Sequence, residues 1–526
     1  MHPCVAQVEA FASRARLLIN LRLRIYSQNL GNENAFPRKR LTMLSLLRLV
    51  AVLSTCGAVL GAQAQAPAAL KAFVKEDAPV LVLEHIRVID GTGSAAIEDQ
   101  RVVIDHGKIN SVGSAAAVAA LPPGAKVLDL TGKTVFPGLV GMHEHLFYPT
   151  EDSRPGLQRL YGEAADTAPR LYLAGGVTSA RTAGSVEPYT DISLKKAIDA
   201  GETPGPRLFI TGPYLEGDPS IGPQLHALTG AEDATRTVNY WAAEGATSFK
   251  AYMHITPQEL KAAIDAAHAH GLKLTGHLCS VGFKEAAALG IDNLEHGLTV
   301  DTEFDPAKKE GVCPEVGPTR AAMARMDVEG EQIQSTIKDL VAHHVAVTST
   351  LAIFESFVPN RPPMSEAMRV RASVAPAGWS DYATVRAEIA EQGDKSLWPM
   401  LFKQEMQFEH DFVKQGGLLM AGCDPTGYGG VLPGFGDQRN LELLVEAGFT
   451  PVEAIHIATE NGAQWLGEDA HFGTIAPGKD ADLVVVDGNP ATKIEDVEKV
   501  ETVFKDGIGY DPRKLVESVR GLVGIR

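Results

Sequence analysis

Four histidines, one lysine and one aspartate carry the chemistry that this sequence can support. His143 and His145 form an H-x-H pair within FPGLVGMHEHL. Residues two apart in a strand point to the same side, and two imidazole nitrogens at that spacing can reach one metal ion at about 2 Å each. His277 ends the run LKLTGHL, His296 ends NLEHG and Asp424 ends LLMAGCD. Each run is a short apolar stretch of the kind that forms a buried strand, so all these ligand-type residues are expected at strand C-termini. A second H-x-H, His268 and His270 in AAHAHG, falls at a helix end before Gly271, where positions i and i+2 diverge. That pair reads as solvated histidines favoured at a helix C-terminus.

Lys250 ends the run ATSFK, which is apolar enough to bury its stem. Burial disfavours the charged ammonium, and a neutral amine can react with carbon dioxide to give a carbamate with two oxygens able to bridge two metal ions. An ion pair with Asp424 or with a substrate carboxylate accounts for the position equally well. Arg181, in TSARTAG, could grip a substrate carboxylate bidentately or pair with a carboxylate inside the fold. His226, Tyr252 and His254 fall on loops near the same expected mouth, either as substrate or oxyanion contacts or as neutral neighbours.

The elements that must position these groups follow from the texture of the chain. From residue 137 to 467, short apolar runs alternate with helical patterns such as TPQELKAAIDAAHAHG about eight times. That alternation predicts an α/β fold of the parallel (β/α)8 barrel type, with TVFPGLVGMHEHL as its first strand and LLMAGCD as its eighth. Catalytic groups of such barrels collect at the strand C-termini because the βα loops converge there. An insertion of about 350–402 has no clear strand and predicts either a lid or a peripheral helical excursion. The flanks, 67–136 and 468–526, contain short alternating Val- and Ile-rich runs such as VLVLEHIRVID and ADLVVVDG. They predict one small β-sandwich domain assembled from both ends of the chain.

Residues 1–66 read as a leader with a signal peptide. From Met43 the chain has a short start with one Arg, an apolar stretch, and A-x-A matches at Ala62–Ala64 and Ala64–Ala66, the export pattern. A periplasmic or secreted protein is expected, without a membrane span. The formal net charge of −17 argues against a nucleic-acid partner, which needs clustered cations. The cysteines at 4, 56, 279, 313 and 423 show no paired spacing, so no disulfide framework or structural zinc site is expected. Cys279 and Cys423 read as small buried residues beside the site.

The order H-x-H, Lys, His, His, Asp on successive strands resembles the amidohydrolase superfamily. PGLVGMHEHL is similar to its opening motif, and GTIAPGKDADLVVVDGNP to the segment that closes its accessory β-sandwich. In detail the chain resembles the imidazolonepropionase-related branch that includes prolidase-like, carboxylated-lysine dipeptidases. The resemblance implies two divalent metal ions, zinc as a rule, with His143, His145 and Asp424 on one and His277 and His296 on the other. It also implies N6-carboxylysine at Lys250 and a hydroxide bridging the ions, with Asp424 as general base and then acid. The expected partner is a small-molecule amide or peptide, a dipeptide or an N-acyl amino acid, with homo-oligomerisation left open. The same centre would also serve a lactone, carbamate or organophosphate ester. A catalytically inactive periplasmic binding protein is the reading from another class.

Overall fold

The computed structural model describes residues 66–114, 116, 121–150, 160–426 and 430–524. The leader therefore lies outside the described residues apart from Ala66. Eight parallel strand positions close a barrel: Leu139–Glu144, Val177–Thr182, Arg207–Phe209 continued by Thr211–Leu215, Ser248–Ala251, Lys273–Gly276, Asn293–Glu295, Ala346–Ser349 and Leu419–Ala421. Successive strands pair in parallel from the first to the eighth, with Lys250 opposite Thr275 and Ser349 opposite Ala421. Asp424 N donates to His143 O at 3.0 Å, which joins the eighth strand's end to the first and closes the ring. These strands are buried on both faces, which is why they appear in the sequence as apolar runs without alternation.

Local chemistry fixes how each strand hands over to its helix. After the Lys250 strand the chain starts the helix Pro257–Ala269 with a reciprocal capping box. Thr256 accepts from Glu259 N, the Glu259 side chain returns to Thr256 N, and Pro257 occupies the first helical position. That arrangement satisfies amide groups a helix start otherwise leaves open. After the first strand the chain instead forms a hairpin, Phe147–Thr150 against Leu160–Glu163.

The region after the seventh strand is helical, with Leu351–Glu355, Met364–Val370 and Pro376–Gln392 preceding the long helix Trp398–Lys414. Of the two expectations for this insertion, the helical excursion describes its backbone, yet its residues also wall the barrel mouth, as shown below.

A nine-stranded sheet takes six strands from Val74–Pro137 and three from Leu483–Tyr510. The two ends of the chain meet where Leu483–Asp487 pairs antiparallel with Lys133–Pro137. Leu81, Leu83, Val102, Val135, Leu483, Val485 and Phe504 form its buried core. The sheet leads directly into the first barrel strand, so it fixes the base from which His143 is delivered.

The cysteine expectation is corrected. Cys279 and Cys313 are disulfide-bonded, with Cα atoms 4.8 Å apart across 34 residues. No local spacing signals this pair, because the bond joins the loops after the fifth and sixth strands, which become neighbours only when the barrel closes. Cys423 is the free, buried cysteine among the described residues.

Candidate active site

The side chains of His143, His145, Lys250, His277, His296 and Asp424 line one cavity of about 220 Å³ at the C-terminal end of the barrel. Strand alternation puts His143 and His145 on the same side, while Glu144 between them points away and accepts from Cys423 N at 3.2 Å. His145 Nε2 is 3.2 Å from Asp424 Oδ1, and His143 Nε2 is 3.8 Å from the same oxygen. His296 Nε2 approaches Asp424 Oδ2 at 3.9 Å. Lys250 Nζ is 3.2 Å from His143 Nε2. The His277 ring completes the set with its centroid 4.5 Å from that of His296.

Each ring is aimed by what it touches on its far side. His143 Nδ1 lies 2.8 Å from Glu295 Oε2, and His296 Nδ1 lies 2.8 Å from Thr350 Oγ1. Such partners fix the tautomer and leave the other nitrogen for a metal ion. His145 Nδ1 is buried without a hydrogen-bond partner. His296 and Asp424 adopt left-handed backbone, φ +75° and +47°, which costs about 1–3 kcal/mol each and collects at functional sites. The strain is held by His296 N donating to Thr348 O at 3.0 Å and by Thr426, whose hydroxyl donates to Asp424 Oδ1 at 2.7 Å.

Burial sets the charge states. It pushes the His145 imidazole down to about 4 and, with the Lys250 charge adding to it, His277 down to about 3. His143 and His296 shift down as well, again through burial first. All four are then neutral near pH 7, the form that ligates metal. Burial also lowers Lys250 to about 8, against the opposing pull of Glu295 and Asp424. For Asp424 burial acts upward, but His143 and the His145 hydrogen bond outweigh it and hold the carboxyl well below its usual range.

This donor set fits divalent metal: ligand atoms of His143, His296 and Asp424 lie within 4.8 Å of one another. The rings are neutral, and the far nitrogens of His143 and His296 are engaged elsewhere.

The four substrate candidates separate. Tyr252 lines the cavity and meets His277 edge-on at 5.1 Å. Arg181 does not line it, and of its two readings the pairing with a carboxylate inside the fold is the one seen. Its side chain is fully buried, Nη2 is 2.8 Å from Glu295 Oε1 and also donates to Met142 O, so it is the partner of an internal carboxylate. His226 lies outside it as well, as a neutral neighbour would: Nε2 is 2.9 Å from Asp233 Oδ2, beside a separate cavity of about 420 Å³. His254 lies outside the cavity lining, with Nδ1 3.3 Å from Glu216 Oε1. The decoy histidines stay on the surface, His268 against Asp292 and His270 against Asn239.

Several wall residues escape a strand-end reading. Tyr214 stands beside Lys250, and Phe354, Phe357 and Trp398 come from the insertion and the helix after it. Arg320 comes from the helix Val316–Met323. For Glu295 a signal did exist: an acidic residue inside the run NLE has to find a cationic or hydrogen-bonding partner when buried.

Residues 134–508 match the model of the amidohydrolase family. The chain is 24% identical over 419 residues to a dihydroorotase of Pelotomaculum thermopropionicum, covering 77% of this chain and 88% of that protein. It is 24% identical over 435 residues to an imidazolonepropionase of Idiomarina loihiensis, covering 80% and 95%. Among solved structures, a Xaa-Pro dipeptidase with bound methionine in the active site superposes with a TM-score of 0.60 at 21% identity. That match covers 82% of this chain and all of the other.

Proposed function

The chain belongs to the amidohydrolase family, hydrolases acting on carbon–nitrogen bonds, and from that premise we propose that it cleaves the amide bond of a dipeptide or an N-acyl amino acid. The observation that carries the proposal is the convergence of four neutral imidazoles, Lys250 and Asp424 on one cavity at the barrel mouth. His143, His145 and Asp424 would hold one divalent ion and His277 and His296 a second, with carboxylated Lys250 joining them. Bound there, two zinc ions would supply Lewis acidity toward the substrate carbonyl and lower the pKa of water toward 7.

The remaining steps belong to the chain. Lys250, with its pKa of about 8, offers an amine lone pair to carbon dioxide. A nitrogen–carbon bond forms, the nitrogen gives up a proton, and the neutral amine that burial favours becomes a carbamate whose oxygens carry one negative charge. Asp424 is kept ionised by its imidazole neighbours, so it can accept a proton from the attacking water as oxygen bonds to the carbonyl carbon. It then delivers that proton to the nitrogen as the carbon–nitrogen bond breaks. Tyr214 and Tyr252 flank Lys250, their ring centroids 5.5 and 5.7 Å from Nζ, and shield it from bulk water.

We also read the chain as an exported protein. The signal-like segment from Met43 supports this, as does the Cys279–Cys313 bond, since disulfides persist in oxidising compartments. Among the described residues no helix is long and apolar enough to cross a membrane.

The test is a substrate panel of dipeptides, N-acyl amino acids, lactones and paraoxon-like esters on zinc-loaded enzyme. Turnover of amides carries the proposal; turnover confined to esters or lactones removes it.

A further inference from the structure

With Arg181 committed to Glu295, the cavity needs another way to meet a charged substrate, and its wall provides one. Lys250 and Arg320 are the only Lys or Arg side chains among the described residues that line it. Carboxylation of Lys250 would turn that group into an anion and leave Arg320 as the one permanent cation among the described lining residues.

Arg320 is placed by stacking on Trp398 and by the docking of the helix that carries it. Its guanidinium carbon lies 4.8 Å from the Trp398 ring centroid, and Trp398 stacks on Phe357 at 4.7 Å and Phe354 at 5.8 Å, both at 24°. Phe354 in turn meets His296 edge-on at 5.6 Å. A run of rings thus leads from the metal-ligand histidine to the guanidinium. The helix that carries Arg320 is docked by Gln404, whose side-chain amide donates to Met323 O at 3.2 Å and Met326 O at 2.6 Å. The chain leading into that helix is tied to the His277 loop by Cys279–Cys313 and by Lys308, which donates to Cys279 O at 2.8 Å.

A guanidinium stacked on an indole keeps its planar fork oriented and is well suited to a carboxylate. The rings between it and His296 offer an apolar face for a large side chain. Building on the amide-hydrolase reading, we propose that the substrate is an amide carrying a large apolar or aromatic group and a carboxylate, with Arg320 binding the carboxylate while the amide meets the metal ligands. Arg320 is on this account a specificity determinant, in the role that the sequence offered to Arg181.

The experiment compares N-acetyl-L-phenylalanine with N-acetyl-2-phenylethylamine, which differ only in the carboxylate, on zinc-loaded wild type and the variants Arg320→Gln and Arg320→Lys. The readout is the acid-over-neutral preference in kcat/KM, or in Kd by calorimetry where no turnover occurs. Metal content of each variant is measured alongside, to separate lost binding from a damaged centre. We expect wild type to prefer the acid by about 10- to 100-fold, the size of a charge-assisted contact. Arg320→Gln should bring that preference close to unity, and Arg320→Lys should keep part of it. No acid preference in wild type, or the same preference in Arg320→Gln, overturns the assignment. An Arg320-dependent preference in binding without any amide turnover keeps the assignment and removes the amide reading instead.

Discussion

Glu295 Oε2 lies 2.8 Å from His143 Nδ1, and neither side chain has meaningful solvent exposure. The other carboxylate oxygen holds Arg181 at 2.8 Å, so one carboxylate serves His143 and a buried guanidinium together. Burial alone would raise the Glu295 carboxyl, but Arg181 and then His143 outweigh it and hold it well below its usual value. Glu295→Gln should weaken metal affinity by about 10- to 100-fold, the usual scale for losing a partner of a ligating histidine, as read by zinc titration against a competing chelator. Arg181→Leu should cost about 3–5 kcal/mol in denaturant unfolding, because it strands a buried charge. If Arg181→Leu were as stable as wild type and lost only substrate affinity, the internal pairing would not be its role.

Lys250 separates stability from function. Its ammonium is buried at a cost, so Lys250→Met should leave the metal-free protein at least as thermostable as wild type. Lys250→Ala should lose on the order of 100-fold or more in activity, as removal of a group that organises the reacting centre does. Short-chain carboxylates should restore part of it by filling the carbamate's place. Unchanged activity in Lys250→Ala would take this residue out of the centre.

The Cys279–Cys313 bond closes a loop across 34 residues between two active-site segments. Constraint of the unfolded chain gives such a bond about 2–4 kcal/mol. Reductant, or Cys313→Ser, should therefore lower Tm, and denatured protein should show two fewer reactive thiols without reductant than with it. Equal thiol counts under both conditions would mean that the bond does not form.

The sequence disclosed what depends on local pattern. The barrel strands appear as apolar runs because both faces are buried, and His277, His296 and Asp424 stand out as polar residues ending such runs. The H-x-H pair is legible because strand alternation alone turns His143 and His145 the same way. What stayed hidden depends on distant chain meeting distant chain. Arg181 had two possible partners, and the choice was made by Glu295, 114 residues away. Arg320 and Trp398 lie on separate helices with no motif, and only packing of the insertion against the sixth βα connection brings them together. Cys279 and Cys313 meet for the same reason.

The hairpin beside the cavity holds a further titrating group. Both carboxylate oxygens of Glu163 are buried without a hydrogen-bond partner. Burial, then Asp191 and Glu187, push its pKa up to about 8. Asp191, buried and accepting from Ser185 Oγ, is pushed up to about 7, again mainly by burial. In the unfolded chain both titrate near 4. Between about pH 4 and 8 the folded state therefore binds more protons than the unfolded one, and stability falls as pH rises through that window. Glu163→Gln keeps the shape and removes the titration. Its Tm should match wild type near pH 4 and rise progressively above it towards pH 8, in differential scanning calorimetry on metal-free protein. A Tm difference that stays constant from pH 5 to 8 would show that Glu163 is not held protonated by the fold.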